Sequence, residues 1–547
     1  MKRQKLSATK VVICVAIAFF LLTLTISLHR YYSLYSNTDH GIFNQVFWNS
    51  SHGNFFQSSL SSSLSTNVQH NNQLPTVYYQ RLGQHFTPAL LLFVPIYAIF
   101  PSPATLNVLQ VILLTAAGLV LYFLAREYLQ PNLAARVTIS YYAANAIIGP
   151  SLGNFFDLCQ IPLYVFSLLL AKEKRCWWLF WLLVILSLTV REDTGVILFS
   201  LGIYWILSKR EVQLGLAVCT VSLAYMIVVT NAIMPLFSAD ISKRFMIERF
   251  GQFAESEEAS TLEIIWGMVS NPGQLIGEFF SPLGLKLQYL LGHWLPVALI
   301  PAVSPATWTL TAFPLTQLFL QQGDSPLSIN IRYAVAVVPG IFYGTIVWWS
   351  QHPEKFQPRM KRFWAFCLVL SLFFTWTSNP HRALFFLIPD SIDPWIYKSL
   401  SVQWQHVDKV HLLLEKIDPD ASVSVTRFIL PKLSSRRVIL RFPDFQYRDD
   451  NQEVGRVDYV LVDLWQVEYE AVFESRREEL RDRINEIENL RAEEAYAVVG
   501  FTEGVVLLQK SVQPDLEAEK RWQIYQEKWG KLGQNLEKLG MRLSAMP

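Results

Sequence analysis

Long apolar runs separated by short polar corners occupy the first two thirds of the chain. Runs of membrane-spanning type lie at about 10–28, 104–125, 134–149, 157–171, 176–190, 194–208, 212–235, 284–302, 303–320, 331–350 and 362–378. They predict about eleven transmembrane helices. A further apolar run at 88–100 has about 13 residues, too few to cross, and suits a helix lying at the interface. After residue 380 the period changes. Short β-type runs at 422–425, 437–441, 458–463, 497–501 and 505–509 are joined by charged helical stretches at about 467–494 and 515–541. The expected fold is a polytopic α-helical membrane module, 1–380, with external loops 29–87 and 237–283. A small soluble α/β domain with charged C-terminal helices, 381–547, follows it.

Composition agrees with this division. Hydrophobic residues make up 52% of the chain and charged residues only 16%, against roughly a quarter charged in a soluble protein. Of the 44 acidic residues, 28 follow position 380, so the charge deficit belongs to the first module. The net charge of +2 and the lack of a basic cluster with interleaved aromatics exclude nucleic acid as an expected partner. Cys14, Cys159, Cys176, Cys219 and Cys367 sit in or beside apolar runs without a C-x-x-C pair and read as packing residues.

Charge also orients the chain. Lys and Arg concentrate at 126–136, 172–175, 209–210 and 352–362. All four connections fall on the cytoplasmic side only if 88–100 does not cross. The apolar stretch after Lys2, Arg3 and Lys5 is too long for a signal peptide, and Leu28-His29-Arg30-Tyr31 offers no small-residue cleavage site. The expectation is an uncleaved first span in the cell membrane, a cytoplasmic N-terminus and an extracytoplasmic C-terminal domain.

That topology places the candidate chemistry on one side. Asp39 follows the first span, His85 precedes the interfacial helix, Asp157 ends an aromatic corner, Glu192 and Asp193 lie between spans, and Arg332 opens one. A carboxylate in a partly apolar cleft can accept a proton from an attacking hydroxyl. Asp39, Asp157 and His85 together could hold a divalent metal. Arg332 offers a planar fork for phosphate, and the cationic run Lys243-Arg244 a second contact or an interfacial helix. Plainer roles compete: Asp39 as a helix-end residue, Glu192 as a cap of the following span, Arg332 as an interfacial anchor. The Ser/Asn/Gln-rich stretch 50–73 reads as a mobile segment able to act as a lid. Asp463 reads better as a helix cap than as a functional acid.

Two blocks carry a resemblance: Asn37-Thr38-Asp39-His40-Gly41-Ile42-Phe43, and Leu82-Gly83-Gln84-His85-Phe86-Thr87-Pro88 with the following Pro95 to Pro103. With Arg191-Glu192-Asp193-Thr194, the proline series from Pro296 to Pro314, and the 422–433 and 458–463 segments, they resemble a bacterial integral-membrane family, domain of unknown function 2079. The family's H-P-E is replaced here by Phe155-Phe156-Asp157, and its His-Tyr-rich opening of the tenth span by Ile331-Arg332-Tyr333. A metal site built on those histidines would lack them.

The family in turn is similar to the polytopic C-superfamily (GT-C) of glycosyltransferases. That similarity implies an acidic base in the first external loop, Asp39, and a polyprenyl-phosphate sugar donor. The leading expectation is inverting transfer of a sugar to an acceptor on the extracytoplasmic face. Asp157, Asp193 and His85 would position the sugar or a metal, with Arg332 or Lys243 and Arg244 on the phosphate. The competing expectations are a transporter or flippase of a lipid-linked or small polar substrate, and a non-catalytic membrane scaffold. Transport is disfavoured because the span interiors are nearly free of charge.

Overall fold

The computed structural model describes residues 7–529 apart from 210, 239, 241–245, 257, 258, 260 and 495; for 261, 493 and 494 it describes the backbone alone. Lys243 and Arg244, named above as phosphate contacts, lie outside the described residues. The chain forms two compact units, one of residues 1–29 and 80–384, the other of 30–79 and 385–547.

The first unit is helical. Among the described residues four helices are long and apolar enough to cross a membrane: Ala8–Tyr32, Pro103–Tyr128, Val212–Leu236 and Arg332–Gln351. The second starts where its sequence says it should. Pro103 occupies its first position, and the Ser102 hydroxyl accepts from Ala104 N at 3.3 Å. The other expected spans are shorter or interrupted. Trp177–Leu188 has 12 residues and Gly195–Leu207 has 13. At 1.5 Å per residue each rises about 18–20 Å, against a hydrocarbon core of about 30 Å.

The stretch 134–149 divides into Pro131–Tyr142 and Asn145–Ser151. The stretch 284–302 is broken where Ala298 and Leu299 turn left-handed, at φ 56° and 60°. Pro296 and Pro301 flank that break and cannot donate to a helical ladder. Composition therefore sets which solvent a segment prefers, while prolines and polar corners set how far its helix runs. The 88–100 run forms the short helices Pro88–Phe93 and Val94–Ile99, with Leu92, Ile99 and Phe100 exposed.

Small residues set the closest packing in this unit. Gly202, in Gly195–Leu207, and Gly215, in Val212–Val228, face each other so tightly that a Cβ on either would lie 2.6–2.7 Å from the other's carbonyl oxygen. Close backbone approach through small residues is how helices associate where lipid removes the hydrophobic drive.

In the second unit the strands are β1 (Ser391–Ile392), β2 (Trp395–Ile396), β3 (Val423–Val425), β4 (Ile439–Arg441), β5 (Gln446–Arg448), β6 (Val454–Arg456), β7 (Tyr459–Asp463), β8 (Tyr496–Thr502) and β9 (Val505–Lys510). Five of them form a mixed sheet in the order β4-β3-β7-β9-β8, while β1/β2 and β5/β6 are separate hairpins. β3 is parallel to β4 and β7, and β9 is antiparallel to β7 and β8. The β-branched runs that predicted the sheet are its core: Val423, Val425, Val460, Val462, Val506 and Leu508 are fully buried. The charged helix Glu474–Glu494 covers one face through Leu480, Ile487 and Leu490.

Residues 30–79, expected as a loop of the membrane module, belong to this second unit. Helix Thr38–Ser51 begins at Asn37, whose side chain accepts from Asp39 N at 3.0 Å. It docks through Asn44, which donates to Ser434 Oγ at 2.8 Å, and Gln45, which donates to Arg437 O at 3.1 Å. The stretch 50–73, expected as a mobile lid, is instead partly a buried seam. Ser58, Ser59 and Ser61 are fully buried, and the Ser59 hydroxyl donates to Ile439 O at 2.7 Å and accepts from Ile439 N at 3.2 Å. Small hydroxyls satisfy the edge of β4, so polarity here signals hydrogen bonding rather than exposure. Further on, Val77 N donates to Arg448 O and Arg448 N to Pro75 O, extending the β5/β6 hairpin.

Candidate functional site

The corner between Trp177–Leu188 and Gly195–Leu207 is closed by Thr194. Its hydroxyl lies 2.7 Å from Ser187 O and 2.8 Å from Arg191 O, fixing the turn that presents Arg191, Glu192 and Asp193. Arg191 pairs with Asp193 through both oxygens, Nε to Oδ1 at 2.6 Å and an η-nitrogen to Oδ2 at 2.7 Å. Gln317 Nε2 donates to the same Oδ2 at 2.9 Å. Such a fork-to-carboxylate pair fixes direction as well as charge. Glu192 turns the other way, toward the 80–87 segment: Oε1 lies 2.9 Å from His85 Nδ1, and Oε2 accepts from Phe86 N at 2.9 Å. It therefore does not cap the following helix, as the sequence suggested.

Electrostatics separates the two neighbouring acids. Burial pushes the Glu192 carboxyl up to about 7, and the charge of Asp193 adds to the rise. Asp193 is less buried than Glu192, and the Arg191 guanidinium beside it outweighs its desolvation and holds it down at about 2. His85 is driven well below its ordinary value, by burial first and then by Arg81, Arg191 and Arg249. At neutral pH Asp193 is thus a fixed anion and His85 is neutral, while Glu192 is poised to gain or lose a proton.

Arginine chemistry gathers on Tyr333. The guanidinium carbons of Arg191, Arg249 and Arg332 lie 5.8, 5.5 and 5.3 Å from its ring centre. Arg249 also donates to the phenol oxygen at 3.3 Å. Asp157 is buried on the short helix Asp157–Gln160, which packs on Arg332–Ala336, and its charge reaches both His85 and Arg191. A narrow crevice of about 10 Å³, lined by Arg191, Asp193, Gln317 and Tyr333, opens here.

Of the residues singled out in the sequence, His85, Asp157, Asp193 and Arg332 belong to this one neighbourhood. Asp39 belongs to the second unit, in the first turn of Thr38–Ser51, where a carboxylate complements the helix dipole. Among the described residues no three His, Cys, Asp or Glu side chains are grouped to hold a metal ion. His85, one of the candidate ligands, engages Glu192 through Nδ1.

Sequence reasoning placed Glu192 among the candidate acids but favoured a helix cap, and gave Arg191, Arg249, Tyr333 and Gln317 no catalytic or binding role. Arg191 carried a signal, as a charge beside Glu192 and Asp193 between apolar runs. Arg249 lay in a cationic run with a membrane-surface explanation, and Tyr333 and Gln317 looked like ordinary span residues. In the second unit Asp463 does close the turn after β7, accepting from Trp465 N at 2.9 Å. It also faces His406 Nε2 at 3.1 Å, while that imidazole stacks on Trp465 at 4.1 Å.

A comparison with curated proteins returns no match. A family model described as a predicted membrane protein matches residues 30–507, which takes in both units, the His85 segment and the Arg191–Asp193 corner. The chain therefore belongs to the DUF2079 family of membrane proteins.

Proposed function

We propose that this protein is a glycosyltransferase of GT-C-like, polytopic architecture in the cell membrane, its shorter helices completing about eleven membrane passages. It moves a sugar from a polyprenyl-phosphate-linked donor to an acceptor hydroxyl on the extracytoplasmic face. The observation that carries this reading is the convergence of Arg191, Arg249 and Arg332 on Tyr333 beside the half-buried Asp193 and the buried Asp157. Planar guanidinium forks at one point suit a phosphate, and a phosphate is what departs in this reaction. Asp193 and Gln317 orient Arg191, and Asp157 supplies acceptor oxygen for sugar hydroxyls.

The step balances simply. The acceptor oxygen forms a bond to the anomeric carbon, and the bond from that carbon to the lipid phosphate oxygen breaks. The phosphate leaves with the electron pair, and a carboxylate takes the acceptor proton. Asp39 is the base that the family resemblance implies; Glu192, in the same unit as the arginines, is favoured by its contact with His85 and by a carboxyl raised to about 7.

Sugar transfer from radiolabelled polyprenyl-phosphate donors by the purified protein tests the assignment. Asp39→Asn is expected to abolish transfer if Asp39 is the base, and Glu192→Gln if Glu192 is. Full activity in both variants removes each of them from the mechanism.

A further inference from the structure

Between the span Val212–Leu236 and the helix Leu283–Trp294 lies a helical pair, Thr261–Ser270 of 10 residues and Pro272–Phe280 of 9. Each is apolar on opposite sides. Inward, Ile264 is fully buried and Met268, Leu275 and Phe279 pack with Phe250, Phe253 and Leu320. Outward, Leu262, Ile265, Trp266, Val269, Ile276 and Phe280 are 48–70% exposed. The only charged residues on the two helices are Glu263 and Glu278. A helix in water keeps its outer face polar, and contiguous apolar surface marks a membrane or partner contact. At about 1.5 Å per residue each helix is about 15 Å long, half the hydrocarbon thickness, so neither can cross.

Continuity identifies the occupant. The span that precedes the pair exposes Leu223, Ile227 and Val228, and the helix that follows exposes Leu283, Leu287 and Leu291. The pair is also tied to the arginine site. Gln274 Nε2 donates to Gln252 O at 2.6 Å, Gln252 Nε2 to Leu320 O at 2.8 Å, and Gln322 N to Arg249 O at 2.9 Å. A Cβ on Gly267 would lie 2.1 Å from Phe253 O, so the first helix backs directly on the turn after Arg249.

We propose that Thr261–Ser270 and Pro272–Phe280 lie flat in the headgroup region of the bilayer with Trp266 among the lipid, and that this contact holds Arg249 at the depth of a lipid phosphate. The placement rests on the membrane character of the chain and not on the glycosyl-transfer reading; only the link to Arg249 deepens that reading.

The test uses the full-length protein purified into nanodiscs. The fluorescence of Trp266 is taken as the difference between wild type and Trp266→Phe, with phosphatidylcholine brominated at shallow or deep acyl positions. Interfacial helices sink about 5–10 Å, so shallow bromines are expected to quench this difference signal more than deep ones, and aqueous acrylamide only weakly. Quenching by acrylamide and not by bromolipid overturns the placement and points to a water-facing or protein-binding surface. Stronger quenching by deep bromines overturns it too.

Val269→Glu then charges the outer face without touching an arginine. It is expected to raise acrylamide quenching of Trp266 and to weaken binding of polyprenyl phosphate. Lost bromolipid quenching with unchanged phosphate binding overturns the link to Arg249 while leaving glycosyl transfer itself standing.

Discussion

At the scale of single residues, one corner holds two adjacent acids in opposite states. Asp193 gains its fixed charge from the two-pronged contact with Arg191, whereas Glu192 is buried beside a neutral imidazole. A raised carboxyl pKa stabilises the fold fully below the ordinary carboxylate range, and that stability is lost as pH rises through about 7. Glu192→Gln keeps both hydrogen bonds and removes the titration. Its melting temperature is expected to vary less than that of wild type between about pH 5 and pH 8. Equal slopes in scanning calorimetry would show that Glu192 does not titrate there. Replacing Arg249 or Arg332 by Gln is expected to raise the KM for a lipid-phosphate donor about tenfold or more, since a charge-assisted hydrogen bond contributes about 1.5–3 kcal/mol. Unchanged KM values would place the phosphate elsewhere.

Secondary-structure elements show what the sequence could and could not disclose. The five sheet strands stood out because β-branched runs of fixed length have few other homes, as in Tyr459–Asp463. The first long helix was equally legible from its unbroken apolar run. Helix lengths in the middle of the chain were not, because a proline can open a helix as well as end one, and Ala298 and Leu299, which turn left-handed between Pro296 and Pro301, are ordinary helix formers. Nor was the buried serine seam, since a hydroxyl facing a strand edge reads like one facing water. Gly202→Leu is expected to cost about 1–3 kcal/mol, the usual penalty of overpacking, because its side chain meets the Gly215 carbonyl. Thermal unfolding in detergent measures it, and a melting temperature equal to that of wild type would show that these two helices do not meet.

For the whole molecule, the main surprise is that residues 30–79 and 385–547 form one unit although the membrane module lies between them in sequence. Sequence proximity suggested a loop, and only long-range bonds such as Ser59 to Ile439 disclose the pairing. Residues 385–547 made alone are expected to be poorly soluble, with the edge of β4 uncovered. Co-expression with residues 30–79 is expected to restore a soluble complex, judged by size-exclusion chromatography; a monodisperse 385–547 fragment by itself would contradict this. The site followed the same division. Individual acids were legible as charges at the ends of apolar runs, but the arginine cluster assembles from positions 191, 249 and 332, whose proximity is a product of the fold.

The central claim is that this cluster receives a lipid phosphate. Binding of polyprenyl phosphate and of the uncharged polyprenol to the nanodisc-embedded protein, read as a shift in melting temperature, tests it most directly. The account predicts that the phosphate raises the melting temperature of wild type, that polyprenol does not, and that the shift disappears in the Arg249→Gln, Arg332→Gln double variant. An equal shift with polyprenol, or a shift that survives in the double variant, would contradict it.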